Sequence, residues 1–528
     1  MPPVLSLLFL VGVAKAQPTV LFTDVETGPK SGGPNNQGVP ISIFGSGFGT
    51  QRGTSRVTIG GIEVASYLAW GKGLACNRML DMIVVQPGAN VVGGKIVVQV
   101  AGVPSNGDQS FVPNQGRVLY VATNGADTNP GTELAPFATL LYAVARARSG
   151  PGDAILVRGG VYSEGEIWIR ESEFAGGTPG QAKAIVTYPG ETAVFANPAR
   201  DLILDAAYLT VSGLHLRNGK AMGMYDSATG LDFKNGVKLV NNSVVGSISY
   251  EGMGTHGSHH TIAGNLILVS GSSVGTQGHC IYISVGTDIR LLHNVVSGAP
   301  GYGIHVFDQC RSTSDYRRVI KDVLIEGNLL HGSRERSGVI LAMNDECSLG
   351  NGIENVTIRN NLFVANNHVG LVVRGATKNV RVYNNTFYEN GRQDLYLGPD
   401  ANLQDVDIVN NLFFHTVNAN CTGNCSWFPQ AHVQVEVGPS NVVLRGNGYH
   451  PTLPTILGAT DPASVTGPVY FVSTAGFDFR VLPPSASIDA GRALALVPRD
   501  LFGVTRPQGP HFDLGAFEWM ESAPIAWK

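Results

Sequence analysis

Ile358-Arg359-Asn360-Asn361-Leu362-Phe363, Val382-Tyr383-Asn384-Asn385-Thr386-Phe387 and Ile408-Val409-Asn410-Asn411-Leu412-Phe413 are one phrase written three times. Earlier it reads Ile262-Ala263-Gly264-Asn265-Leu266-Ile267, Leu291-Leu292-His293-Asn294-Val295-Val296 and Ile325-Glu326-Gly327-Asn328-Leu329-Leu330. Asn242 begins the series and Asn447 ends it. Successive asparagines stand roughly 23 to 36 residues apart, a period that means a solenoid. Each unit has apolar residues on both sides of the Asn and a second apolar strand upstream. One such coil cannot bury its own apolar face. Stacked coils bury a continuous core, and stacked Asn side chains hydrogen-bond along the stack. The predicted fold is all-β: a right-handed parallel β-helix, which offers a long ridged sheet to an extended polymer.

The bulk composition agrees. The chain has 528 residues, too many for one ordinary compact domain and natural for a solenoid plus a small module. Charged residues make up only 14% and there are 67 glycines, which suits short strands joined by tight turns. The net charge of −4 gives no reason to expect nucleic acid as a partner. Val4 to Val13 is an apolar stretch followed by Ala14-Lys15-Ala16, a small-x-small cleavage pattern, so residues 1–16 read as a signal peptide. No later stretch is long and apolar enough to span a bilayer. The expectation is an exported protein, secreted or periplasmic, and monomeric. Among six cysteines, Cys421 and Cys425 suit a loop staple and Cys310 and Cys347 follow equivalent strands; Cys76 and Cys280 have no obvious partner.

Residues 17–113 differ from the rest. Short alternating strands (Val39 to Phe44, Arg56 to Ile59, Met82 to Val85, Lys95 to Val100) lie between Gly, Pro and Asn turns and read as a small β-sandwich. Ile43-Phe44-Gly45-Ser46-Gly47-Phe48 and Val57-Thr58-Ile59-Gly60-Gly61 resemble the immunoglobulin-like TIG type. This module lacks a cluster of titratable groups, so it is expected to fold independently and to be dispensable for chemistry. Residues 117–528 hold the solenoid. Pro136 to Arg148 carries a helical apolar pattern, suited to capping the open end. Gly152-Asp153-Ala154-Ile155-Leu156-Val157 resembles the first turn of bacterial pectate-lyase-like β-helix proteins, and Asp513-Leu514-Gly515-Ala516-Phe517-Glu518 is similar to the closing segment of many exported β-helix proteins. That resemblance is specific for fold and implies a polysaccharide-directed protein.

The chemistry is sought on the strand before each Asn phrase, where alternate side chains face outward. Aligned by their apolar pairs, Leu231-Asp232-Phe233-Lys234, Met253-Gly254-Thr255-His256, Ile281-Tyr282-Ile283-Ser284 and Ile304-His305-Val306-Phe307 put Lys234, His256, Tyr282 and His305 on one surface patch. His256, His259, His260, His279, His293 and His305 are six of the thirteen histidines. A polysaccharide lyase needs a cation to neutralise the uronate carboxylate, a base for the α-proton and an acid for the leaving oxygen. Lys234 or Arg374 suits the first role and His256 or His305 the second. Tyr282 suits the third, and beside a cation a tyrosine serves as both base and acid. Asp232, His279, Asp308, Arg374 and Tyr396 are expected to bind substrate. His293 and the ladder asparagines are read as structural.

Two other readings stay open. A glycoside hydrolase uses a carboxyl pair, here Asp308 with Asp345 or Glu346. A non-catalytic carbohydrate-binding or surface protein needs neither set. Asn344-Asp345-Glu346 is also a candidate calcium site, with no other cofactor or metal implied. The expected activity is β-elimination of an extended acidic polysaccharide.

Overall fold

The structure is a computed structural model. It describes residues 17–147, 150, 152–174, 176–196, 202–217, 222–224, 234–246, 251–268, 275–308, 319–343, 352–416, 430–451 and 453–521. The expected signal peptide, Asp232, Asp345, Glu346 and the cysteines 310, 347, 421 and 425 lie outside these residues. Cys76 and Cys280 are free thiols.

From Val118 onward the chain winds as a right-handed parallel β-helix with three strands per coil. Sheet 1 runs from Ile167–Arg170 to Ile456–Leu457, sheet 2 from Val118–Val121 to Ser440–Arg445, and sheet 3 from Gly160–Tyr162 to Gly448–His450. The pairings between coils are parallel, and Ile358, Val382 and Ile408, for example, align directly. The three faces enclose one apolar core, with Ile281, Ile304, Val339, Leu371 and Leu395 stacked under sheet 1. Phe363, Phe387, Phe413 and Tyr449 form a ring stack at 4.4, 4.9 and 5.4 Å. A helix over Leu140–Arg146, N-capped by Thr139, buries Leu140, Ala143 and Val144 at the open end.

The asparagine ladder stands where the repeat places it, at the corner from sheet 2 to sheet 3. Asn328 shows the unit: its N–H and its amide both donate to Asn361 Oδ1 at 2.9 Å, and the amide also donates to Leu291 O at 2.9 Å. The same linkage joins Asn242, Asn265, Asn294, Asn328, Asn361, Asn385, Asn411 and Asn447 in turn. After Asn447 there is no further ladder asparagine, and the last acceptor is a carboxylate, Asp461. The residue before each ladder Asn explains the spelling of the phrase. Asn241, Gly264, His293, Gly327, Asn360, Asn384 and Asn410 all have φ between 50° and 70°, a left-handed corner that Gly and Asn tolerate best.

The sandwich forms as expected, with Thr19–Thr23, Ile41–Ser46, Asp81–Gln86 and Ser66–Lys72 in one sheet and Arg56–Ile59, Gly94–Val100 and Ser110–Asn114 in the other. It is not a detached module. Its core continues into Val118, Tyr120, Leu156, Ala184 and Val186 of the solenoid. Phe22 stacks on Phe44 and on His293, Asn77 donates to His293 O at 2.7 Å, and Lys238 pairs with Glu26 at 2.7 Å. The C-terminal segment docks on the same corner further along: Asn360 donates to Arg499 O, Asn384 to Asp513 O and Asn410 to Arg492 O. None of these contacts is made on the outer face of sheet 1.

Candidate active site

Sheet 1 brings together part of the expected patch. One outward column reads Gly254, Tyr282, His305, Ile340, Val372, Tyr396 on consecutive coils. Tyr282 and His305 are direct neighbours, their rings 5.2 Å apart. His279 opens the strand of Tyr282 and closes the group: its Nε2 lies 3.0 Å from His305 Nδ1, and its ring stacks on Tyr282 at 5.7 Å. Tyr302 packs against His279 and His305 at 5.5 and 4.8 Å, and Phe307 covers His305 from the other side at 4.9 Å. These rings bury His305 although its strand position faces outward.

The hydrogen bonds assign the protons. The backbone N–H of Tyr302 donates to His279 Nδ1 at 3.4 Å. In the neutral ring the proton of His279 then sits on Nε2 and is donated to His305 Nδ1, which leaves the proton of His305 on its own Nε2. Burial holds His279 well below the usual imidazole range, at about 4, with the positive charge of Arg336 adding to the effect. Burial, His279 and Arg336 hold His305 well below that range too. The pair is neutral at neutral pH.

Arg336 stands at the rim. It is exposed, with its guanidinium 5.9 Å from the centre of the Tyr302 ring. His368 and Arg392 continue this edge; Arg392 N–H donates to His368 O on the adjacent coil. The imidazole of His368 is held at about 4 by burial and by the charges of Arg392 and Arg336. Beside this edge, Ile340, Ala342, Val369 and Val372 form an apolar floor bordered by Tyr302, Phe307 and Tyr396. An apolar and aromatic floor with cations along one side suits the CH faces and acidic groups of a glycan.

The structure corrects the rest of the expected patch. The coil before Met253 contributes Met222–Met224 to sheet 1, with Gly223 aligned to Gly254, so Gly223 and not Asp232 stands beside Gly254 in the outward column. The pattern apolar-x-apolar occurs twice in that stretch of sequence, at Met222-Gly223-Met224 and at Leu231-Asp232-Phe233. Lys234 lies in the turn beyond, 2.6 Å from Glu171. His256 follows a bulge that pairs it with Val285 rather than Ser284. Three residues along the strand from Tyr282, it is about 10 Å away. Lys234 and His256 thus form a corner group separate from Tyr282 and His305. Asp308 falls on the core-facing parity of its strand and is fully buried, so it does not line the groove. Arg374 pairs with Asp400 at 3.6 Å. It and Tyr396 lie three coils or more from Tyr282, roughly 14 Å or beyond, at the far end of the groove.

Tyr302, Arg336 and His368 were missed because they sit in turns of unequal length, where alternation does not hold. Two core-facing residues in succession (Cys280 and Ile281, Gly303 and Ile304) mark each corner, so the residue before each pair turns outward. That doubling is the signal that finds His279 and Tyr302. Among the described residues no group of three or more His, Cys, Asp or Glu side chains is placed to hold a metal, and no helix is long and apolar enough to cross a membrane.

Comparison with known proteins agrees with the architecture. Residues 119–274 match the family model of the Pel9A-like right-handed β-helix region, and residues 279–450 that of a right-handed β-helix region. The chain is similar to the crystal structure of the pectate lyase Pel9A, at 20% identity over 76% of this chain and 96% of that one, with a TM-score of 0.45. It is similar to XylC in complex with xylose, at 11% identity over 76% and 98%, with a TM-score of 0.47. It is also similar to the family 28 exopolygalacturonase of Yersinia enterocolitica, at 11% identity over 85% and 98%, with a TM-score of 0.40. At these identities and scores the likenesses carry no argument about chemistry. No curated protein matches the chain.

Proposed function

We propose that the outer groove of sheet 1 cleaves an acidic, uronate-containing polysaccharide by β-elimination. The observation that carries this reading is the His279–His305 contact at 3.0 Å, set against Tyr282 and Tyr302 and under the charge of Arg336. Arg336 takes the role expected of Lys234: it binds the uronate carboxylate and makes the adjacent α-proton acidic. A neutral His305, protonated on Nε2, donates a hydrogen bond to the oxygen on which negative charge develops. Its proton is backed by the Nε2–H of His279. Tyr282 removes the α-proton and returns a proton to the leaving glycosidic oxygen. One group then serves as base and acid, and the bond to the leaving sugar breaks as the carbon–carbon double bond forms. Tyr302, Phe307 and the apolar floor hold the sugars; Arg392, Tyr396 and Arg374 engage units further along. The product is an unsaturated uronate. Its conjugated ultraviolet absorbance, followed on a panel of uronate polymers, tests the proposal.

A further inference from the structure

A second concave site lies away from the groove. Between the sandwich and the solenoid opens a cleft of about 690 Å³, a size and a place, between two domains, typical of sites for small ligands. Its walls are fixed before any ligand arrives. On the sandwich side the segment 73–78 is pinned: Cys76 N–H donates to Asn241 Oδ1 at 2.7 Å and its thiol to Asn241 O at 3.0 Å. On the solenoid side Ser212 is held by Asp24 at 2.8 Å. Burial pushes the Cys76 thiol up to about 12, so it is a protonated wall group and not a nucleophile.

We propose that this cleft binds an anionic oligosaccharide. Arg78 and Arg217 line it and are exposed, and among the described residues neither forms an ion pair. The one carboxylate in the lining, Glu191, is already held by Arg158 at 2.6 Å and by the N–H of Gly159 at 2.6 Å. The cleft therefore presents uncompensated positive charge. It also presents groups suited to sugar hydroxyls. Thr187 Oγ1 is buried with no partner among the described residues. The His215 imidazole, kept neutral by burial and by Arg217, has one side-chain partner among the described residues, the Cys76 sulfur at 3.9 Å. A neutral imidazole offers one donor and one acceptor, the pairing a hydroxyl needs. Leu74, Pro189 and Leu266 supply apolar surface for the CH faces of the ring. Two cations across a cleft of this volume fit a short chain with an acid group on more than one unit. The inference stands on the cleft and does not require the groove to be a lyase.

The test is calorimetric titration of the full chain with trigalacturonate, and with maltotriose as the neutral probe. The groove variant H305A/R336A is expected to keep one trigalacturonate site. Adding R78E/R217E is expected to weaken that site about tenfold or more, the scale of a lost charge-assisted hydrogen bond, and maltotriose to bind at least as weakly. R217Q, which removes the charge with little change in length, is expected to weaken binding too, so the result does not rest on a variant that disturbs docking. Loss of all trigalacturonate binding in H305A/R336A, unchanged binding in R78E/R217E and R217Q, or equal affinity for maltotriose would overturn the proposal.

Discussion

His279 Nε2 lies 3.0 Å from His305 Nδ1, and this one contact joins two coils of sheet 1 across its outward face. The strands hold the two backbones in register on adjacent coils, with Tyr282 directly beside His305. Tyr302 and Phe307 exclude water from the pair. The result is a neutral, preorganised donor facing a groove rimmed by Arg336, which is the arrangement on which the following expectations rest.

Replacing Tyr282 by Phe, or His305 by Ala, is expected to lower turnover by about 10² to 10⁴-fold, the usual contribution of a general acid or base. Both residues lie outside the solenoid core, so the far-ultraviolet dichroism and thermal midpoint should stay near those of the wild type. A variant that keeps full turnover removes that residue from the mechanism.

The cation is expected to be Arg336, not Lys234. R336A should lower kcat/KM on a uronate polymer, through both the binding of the carboxylate and the acidity of the α-proton. K234A disturbs a pair with Glu171 at the corner and should change turnover much less. Parallel kinetics of R336A and K234A on one uronate polymer separate the two.

The titration of His279 should lie low. Protonating it puts a second proton on Nδ1, against the Tyr302 N–H that this nitrogen accepts, and its folded pKa is about 4 against an ordinary 6.5. The ring is therefore expected to stay neutral as pH falls through 6.5 and to charge toward 4. Removing Arg336 takes away a charge that opposes protonation, so in R336A the titration should move to higher pH. Burial, the larger cause, keeps it below 6.5. Histidine ring NMR shifts of both proteins against pH check the sign.

Asn361→Ala should destabilise the chain strongly. It leaves the Asn328 N–H without its Asn361 Oδ1 partner and Ile325 O without its donor, at a fully buried corner. Each orphaned buried group costs about 1–3 kcal/mol. Denaturant titration should show a lower midpoint with the slope largely kept.

Deleting residues before Gly116 should not yield the well-behaved solenoid that the sequence implies. It would expose Tyr120, Leu156 and Val186, which the sandwich now covers. The truncated chain is expected to melt earlier and to aggregate; unchanged melting would mean the contact is dispensable.

The contrast between these residues shows what the chain spells openly. The ladder was legible because every coil must satisfy the same buried amide, so Asn recurs with the same apolar flanks at Asn294, Asn328 and Asn361. The outward column from Gly254 to Tyr396 was legible because alternation holds inside a strand. Lys234 was misplaced because alignment by apolar pairs cannot choose between Met222-Gly223-Met224 and Leu231-Asp232-Phe233 when both fit. Arg336 and His368 were not legible because turns vary in length and carry no period. The docking of the sandwich and the C-terminal segment was written in the residue before each ladder Asn. Asn241, Asn360, Asn384 and Asn410 turn their side chains outward and bond segments distant in sequence. A second asparagine at a left-handed corner, where Gly would suffice, is the trace of that contact.

The most direct measurement is ultraviolet absorbance and reducing-end release, recorded together on polygalacturonate, alginate and a neutral polymer, with wild type and H305A. The account predicts that absorbance and reducing ends rise together on at least one uronate polymer with wild type, and that both fall in H305A. Reducing ends without absorbance would contradict elimination and make the protein a hydrolase. No change on any acidic polymer would contradict catalysis in the groove.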